Sequence, residues 1–419
     1  MLYALAMTEG QVWRTPVPPA GKPSEVSWRR YATGLNHPIG LAIVKGRLFV
    51  SQKPEVTELI DRDGDGTVDQ FKTVMSGWGL SNGGWHEYCF GLAYDNDDHL
   101  YVALTTGRFW THPGFAVFPG RNRGSIFRVS LSTGKIEEVA KGLRTPNGIE
   151  RGPKDQIYYT DNQGDWVQAC KLAKIIPGRF YGHPEYTTDA LPAGKYPDGL
   201  SSVWLPYQWS RSASGPILID DSGRFGPFEG QMLVGDVGYG ANLGLLRVAF
   251  EDVDGETQGA VFRFAADAPS GCLRMKFAPD GPLYLASLTT GLTRMRPDGP
   301  PPFAIQAMTI RKGGGGFQLA LTKPLDPAYE PRPEDFRFRR YHYLYTANYG
   351  SPEADVAAVP VERVEVSADR RAVTLVLPVE THPLGMVYEL DAGRLRGEGG
   401  EGLRHPEAWY TVHRVPKAP

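Results

Sequence analysis

Short bursts of alternating apolar and polar residues run along the chain, each closed by Gly, Pro, Asp or Asn. Phe90-Gly91-Leu92-Ala93-Tyr94 is followed by a polar turn and His99-Leu100-Tyr101-Val102-Ala103. The same order recurs at Asn147-Gly148-Ile149-Glu150 with Gln156-Ile157-Tyr158-Tyr159-Thr160, and at Leu273-Arg274-Met275-Lys276-Phe277 with Pro282-Leu283-Tyr284-Leu285-Ala286. Looser copies begin at Gly40-Leu41-Ala42-Ile43-Val44 and at Ser214-Gly215-Pro216-Ile217-Leu218. Period-two alternation around a turn predicts an antiparallel hairpin.

The hairpins recur about every 50–65 residues, the spacing of a blade repeat with generous loops. One blade cannot bury both of its faces, so such repeats stack radially around an axis. Leu2-Tyr3-Ala4-Leu5 and Gly10-Gln11-Val12-Trp13-Arg14 read as the later strands of a sixth blade whose earlier strands are missing. The expectation is therefore all-β: a six-bladed β-propeller, its first blade incomplete.

The pattern stops at the Pro/Gly stretch Arg296-Pro297-Asp298-Gly299-Pro300-Pro301-Pro302. Beyond it, Phe317-Gln318-Leu319-Ala320-Leu321, Val361-Glu362-Arg363-Val364-Glu365-Val366 and Ala372-Val373-Thr374-Leu375-Val376-Leu377 predict strands with a different spacing. Tyr341-His342-Tyr343-Leu344-Tyr345 and Trp409-Tyr410-Thr411-Val412 predict two more. The domains expected are a propeller over 1–302 and an Ig-like β-sandwich over 303–419.

Composition narrows the partners. Lys+Arg is 45 against Asp+Glu 47, a net charge of -2, which removes the electrostatic reason to expect a nucleic acid or an anionic membrane. No apolar run approaches the roughly 20 residues of a membrane helix. Met1-Leu2-Tyr3-Ala4-Leu5-Ala6-Met7-Thr8-Glu9-Gly10 has neither the basic nor the apolar region of a secretory signal. Cys89, Cys170 and Cys272 lie far apart, without metal or haem spacing, and read as small apolar residues.

Four segments carry candidate chemistry. Asp61, Asp63, Asp65 and Asp69 occupy positions 1, 3, 5 and 9 of a loop with Gly66 at position 6. That set suits a hard cation such as a structural calcium, although Lys72 replaces the Glu of an EF-hand at position 12. An ion-free acidic turn is the other reading. His86, within Trp85-His86-Glu87, precedes a first strand, where an imidazole could take a proton from a hydroxyl. Arg144, Thr145 and Asn147 hold the equivalent place in the next blade, and Asn162, Gln163 and Trp166 follow its second strand. Polar groups at matching positions of adjacent blades are expected at one mouth, unless they serve only to make the turns.

These residues carry a resemblance. Gly91-Leu92-Ala93 with His86, Leu143-Arg144-Thr145-Pro146-Asn147-Gly148, Asp161-Asn162-Gln163-Gly164-Asp165-Trp166, Tyr181-Gly182-His183-Pro184 and Gly271-Cys272-Leu273-Arg274 resemble the glucose/sorbosone dehydrogenase-like propellers. Characterised members of that family use pyrroloquinoline quinone (PQQ) and calcium. Tyr349-Gly350-Ser351-Pro352 and His405-Pro406-Glu407-Ala408-Trp409-Tyr410-Thr411 are similar to a branch often labelled sorbosone dehydrogenase.

The resemblance implies oxidation of a small-molecule carbohydrate, with His86 as general base and Arg144 polarising the quinone. Thr145, Asn147 and Arg274 would join Arg144 around the cofactor, and Trp85, Asn162, Gln163 and Trp166 would meet the sugar. It also implies a periplasmic or secreted protein with an electron-transfer partner. Thr145 and Cys272 stand where that family's pattern has an Asn and an Arg, and around Gly235-Asp236-Val237-Gly238 its cofactor lysine has no counterpart. Two other functions stay open: a carbohydrate-binding propeller without redox chemistry, and a metal-dependent lactonase using Asp161, Asn162 and Asp236.

Overall fold

The computed structural model describes residues 1–18, 26–80, 86–106, 122–184, 199–220, 222–223, 225–238, 244–279, 281–288, 290–378 and 385–417. The fold is all-β: among these residues every regular element is a strand or a three-residue 3-10 turn. Strands pair antiparallel in sheets of the propeller type, as the hairpin pattern predicts.

The chain forms two compact units. Met1–Arg151, Asp155–Tyr159 and Ile175–Ala190 make one; Gly152–Lys154, Thr160–Lys174 and Leu191–Pro419 make the other. The division does not fall at 302, and residues on both sides of that position belong to the second unit.

In the first unit, Leu2–Ala6, Gln11–Thr15 and Arg29–Ala32 form a three-stranded sheet. Gly40–Val44, Arg47–Gln52, Glu55–Ile60 and Gln70–Met75 form the next sheet in chain order. Cys89–Tyr94, His99–Leu104, Ser125–Ser130 and Ile136–Lys141 form a third. Val50, Val56, Leu100, Val102 and Val129 are wholly buried, and in Arg47–Gln52 and His99–Leu104 the residues between are buried as well, so these inner strands are covered on both faces.

Consecutive first strands approach closely. A Cβ on Gly40 would lie 2.5 Å from the Gly91 carbonyl oxygen. Gly91 itself has φ +63°, and a Cβ there would lie 2.4 Å from Ile149 Cγ2. The buried Ser51 hydroxyl donates to the Cys89 carbonyl at 2.8 Å, joining one sheet to the first strand of the next. The same device operates in the second unit. There Thr160 Oγ1 donates to the Ser214 carbonyl at 3.0 Å and the Ser214 hydroxyl to the Cys272 carbonyl.

In the second unit one sheet has eight strands. Ala213–Leu218, Met232–Asp236, Leu245–Val253 and Glu256–Ala265 continue directly into Glu407–Val412, Met386–Asp391, Arg337–Tyr343 and Glu353–Val359. The join is the pairing of Gly259, Ala260 and Val261 with Thr411, Tyr410 and Trp409. A four-stranded sheet of Ile305–Ile310, Gly316–Leu321, Ala372–Val376 and Arg363–Val366 shares a core with it, in which Phe262, Phe317, Val373, Tyr388 and Tyr410 are buried together.

Arg247 ties these strands. Its guanidinium lies 4.3 and 4.4 Å from the rings of Phe228 and Phe262 and donates to the carbonyls of Gln306 (2.7 Å) and Ile305 (2.6 Å). Burial pulls its pKa down to about 9.

All three cysteines are free and buried, and burial pushes their thiols up to about 11 or 12. They pack as small apolar groups, as expected, with no thiolate to react.

Ser51→Ala leaves the Cys89 carbonyl buried without its donor. The expected cost is about 1–3 kcal/mol, read as a lower denaturant midpoint at unchanged slope. An unmoved midpoint would remove this bond from the account of how the sheets are held.

Candidate functional site

In the first unit, the turn before Cys89–Tyr94 is fixed through its own backbone. The Arg123 side chain is almost wholly buried and donates through Nε to the Gly79 carbonyl (3.0 Å), through Nη1 to Tyr88 (2.9 Å) and through Nη2 to Glu87 (2.8 Å). Thr105 Oγ1 donates to the His86 carbonyl and accepts the Tyr88 N–H at 3.0 Å. The next residue, Thr106, donates its N–H to the Arg144 carbonyl at 3.0 Å. This ladder brings His86 and Arg144, 58 positions apart in the numbering, into one electrostatic environment.

Burial lowers the His86 pKa below its ordinary value of 6.5, and the positive charges of Arg144 and Lys53 lower it further. The imidazole is therefore neutral at physiological pH. Its ring centroid lies 5.8 Å from that of Tyr88 in an edge arrangement. Lys53 lies 5.3 Å from the Tyr88 ring centroid, and burial lowers its pKa too. Arg144 is buried, with Nη1 3.5 Å from Thr145 Oγ1, and Asn147 is buried beside it in sequence. A neutral base among fixed cations suits an anionic ligand and a proton acceptor together.

The second unit holds the other predicted residues. Asp161 is buried and accepts the Asn162 N–H at 3.1 Å, while Asn162 Nδ2 donates to Ser212 Oγ at 3.0 Å. Burial pulls Lys171 down to about 8, and the charge of Asp161 acts the other way.

Gln163 Nε2 donates to the Gln168 carbonyl at 3.2 Å. Trp166 sits in the left-handed region at φ +58°, a strain of about 1–3 kcal/mol for a bulky residue. Among the described residues, neither polar atom of the buried Gln168 amide meets a hydrogen-bond partner, nor does Asn162 Oδ1. Buried polar atoms left open in this way are satisfied by water or by a ligand's hydroxyls.

Asp236, proposed for a metal, is committed elsewhere. Its carboxylate accepts Ser210 Oγ (2.7 Å) and the N–H groups of Arg211 (3.1 Å), Ser212 (3.2 Å) and Gly238 (2.8 Å). Four donors fill the lone pairs a cation would need. Arg274 Nη1 donates to its neighbour's carbonyl, Leu273, at 2.7 Å, and burial pulls its pKa down to about 10.

The acidic loop is a hairpin tip between Glu55–Ile60 and Gln70–Met75. Ligand oxygens of Asp61, Asp63 and Asp65 lie within 4.8 Å of one another. Asp69 is outside this group and accepts the Arg62 N–H at 2.7 Å, closing the loop instead. The loop's own amides occupy part of the carboxylates: Gly64 and Gly66 donate to Asp61, Asp65 to Asp63 and Thr67 to Asp65.

The predicted residues thus fall into two sets. His86, Arg144, Thr145 and Asn147 belong to the first unit; Asn162, Gln163, Trp166 and Arg274 belong to the second. Trp85 lies outside the described residues. Lys53 and Arg123 escaped the sequence reading. Lys53 stands in a turn, Gln52-Lys53-Pro54, that looks like any solvated turn, and Arg123 gains its role only from carbonyls 35 to 44 residues away.

Comparisons with known proteins place the fold. A solved structure described as glucose dehydrogenase superposes with a TM-score of 0.50 at 18% identity, over 70% of this chain and 91% of that one. A PQQ-bound aldose sugar dehydrogenase from Streptomyces coelicolor is similar at 17% identity, over 83% of this chain and 96% of that one, with a TM-score of 0.37. A family AA12 enzyme from Trichoderma reesei is similar at 15% identity, over 69% and 90%, with a TM-score of 0.47. No curated protein matches. Residues 28–240 match a family described as a domain of unknown function, DUF7133, and the chain belongs to that family.

Proposed function

We propose that this protein oxidises a sugar or sugar aldehyde with a quinone cofactor, and that His86 is the general base. The observation that carries the reading is the imidazole held neutral by burial and by the cations Arg144 and Lys53. A neutral imidazole accepts the proton of a sugar hydroxyl. The buried guanidinium of Arg144 stabilises negative charge as it develops nearby. Arg123 and Thr105 hold the turn so that the ring loses little freedom when substrate arrives.

PQQ fits this cationic donor set: Arg144 and Lys53 would pair with its anionic groups, and Thr145 and Asn147 would hydrogen-bond it. When bound, it supplies a two-electron acceptor for hydride. The dehydrogenases similar in fold act on glucose and aldose sugars by their descriptions, which supports a sugar as the substrate. Within the second unit, the loop of Asn162, Gln163 and Trp166 is the proposed place of sugar contact, since Asn162 Oδ1 and the Gln168 amide lack partners among the described residues and Trp166 packs against Tyr345. The same loop suits a carbohydrate-binding protein without redox chemistry, which is the second reading. Calcium, as a structural ion at Asp61, Asp63 and Asp65, is a separate part of the proposal.

Dye reduction with PQQ and a panel of aldoses tests the chemistry. His86→Ala is expected to lower kcat by about 10²–10⁴-fold. The acid-side fall of the wild-type rate should have its midpoint below pH 6.5, because a base with a lowered pKa gains its proton late. Aldose binding without any dye reduction would favour the second reading.

Calcium should raise Tm in proportion to log concentration above its Kd, and Asp61→Asn with Asp63→Asn should abolish that rise. A Tm indifferent to calcium would leave the loop as an ion-free turn.

A further inference from the structure

The loop proposed to meet the sugar does not hold its own shape. Trp166 donates its N–H to the Thr346 carbonyl at 3.0 Å, and its ring lies 4.9 Å from that of the buried Tyr345. Gly350 donates to the Gly164 carbonyl at 3.0 Å and Ser351 to the Gln168 carbonyl at 2.9 Å. Asp165 and Tyr349 form a bridge between these contacts. Gly350, at φ +71°, packs so tightly that a Cβ there would lie 2.3 Å from Gln163 Nε2. Segment 345–351 therefore clamps 163–168 along its whole length and holds Trp166 in its left-handed conformation. In the middle of this clamp Tyr349 is 73% exposed, among the most exposed large side chains of the described residues.

We propose that Tyr349 is a substrate-contacting, specificity-determining residue: its ring forms an aromatic wall against which a pyranose packs while the amides of Asn162 and Gln163 bond its hydroxyls. This rests on the reading that loop 161–168 meets a sugar. The chemistry follows from position. A sugar ring offers C–H groups on one face and hydroxyls around its edge, so its site needs an aromatic face beside convergent amides. The clamp keeps the Tyr349 backbone in register with Asp165, between Gln163 and Trp166 on the facing segment.

Calorimetric titration of the full chain with D-glucose, D-xylose and maltose tests the inference without depending on a cofactor or on turnover. Tyr349→Ala should weaken binding by about tenfold, the loss expected when an aromatic partner is truncated. Tyr349→Phe should restore it, and Tm should stay unchanged in both variants because the side chain is exposed.

Wild-type binding of a sugar with Tyr349→Ala within about twofold would overturn the inference and leave the sugar reading intact. A weakened Tyr349→Ala that Tyr349→Phe does not rescue, or that melts early, would also overturn it, reducing Tyr349 to a structural residue. No binding of any of the three sugars by the wild type would overturn the sugar reading itself, and the inference with it.

Discussion

Neighbouring sheets can place side chains at a common end only if their first strands come within contact of one another. Here that approach depends on glycine and a buried hydroxyl. Gly40 lies against Gly91 and Gly91 against Ile149, at distances that exclude any Cβ, while Ser51 donates across the gap to the Cys89 carbonyl. The second unit repeats the device with Thr160, Ser214 and Gly235. Each hydroxyl satisfies a carbonyl that the next strand would otherwise bury unpaired. The turns that carry His86 and Arg144 are attached to these first strands, so their spacing follows from it.

The first unit then sets positive charge around His86, with the buried Glu87 acting on Lys53. Lys53 and Arg144 act on His86, whereas Arg123 uses its fork on three backbone carbonyls and so serves as a strut. Lys53 and Arg144 remain as a field that adds to burial in lowering the basicity of His86. The second unit has a different character: amides, aromatic rings and a clamp from the connection between Arg337–Tyr343 and Glu353–Val359.

The hairpins were legible in the sequence because alternation and turn residues are local signals, and strands such as Cys89–Tyr94 and Leu283–Ser287 fall where the pattern puts them. The continuation of Glu256–Ala265 into Glu407–Val412 was not, since two strands about 150 residues apart leave no periodic mark of their pairing. His86 and Arg144 were legible as polar residues before first strands. Arg123 was not, because an arginine that caps distant carbonyls reads as a surface charge until the chain folds. The acidic loop was legible as a hairpin tip, yet Asp69 closes the loop through Arg62 in place of joining Asp61, Asp63 and Asp65.

The central proposal is that His86 acts as a neutral base, its proton disfavoured first by burial and then by the charges of Arg144 and Lys53. Proton NMR titration of the imidazole resonances, with His86 assigned by its loss in His86→Gln, measures this directly. The account predicts a His86 pKa below 6.5 that rises in Arg144→Gln, as one of the two cations is removed. A His86 that titrates at or above 6.5, or one unmoved by Arg144→Gln, would contradict it.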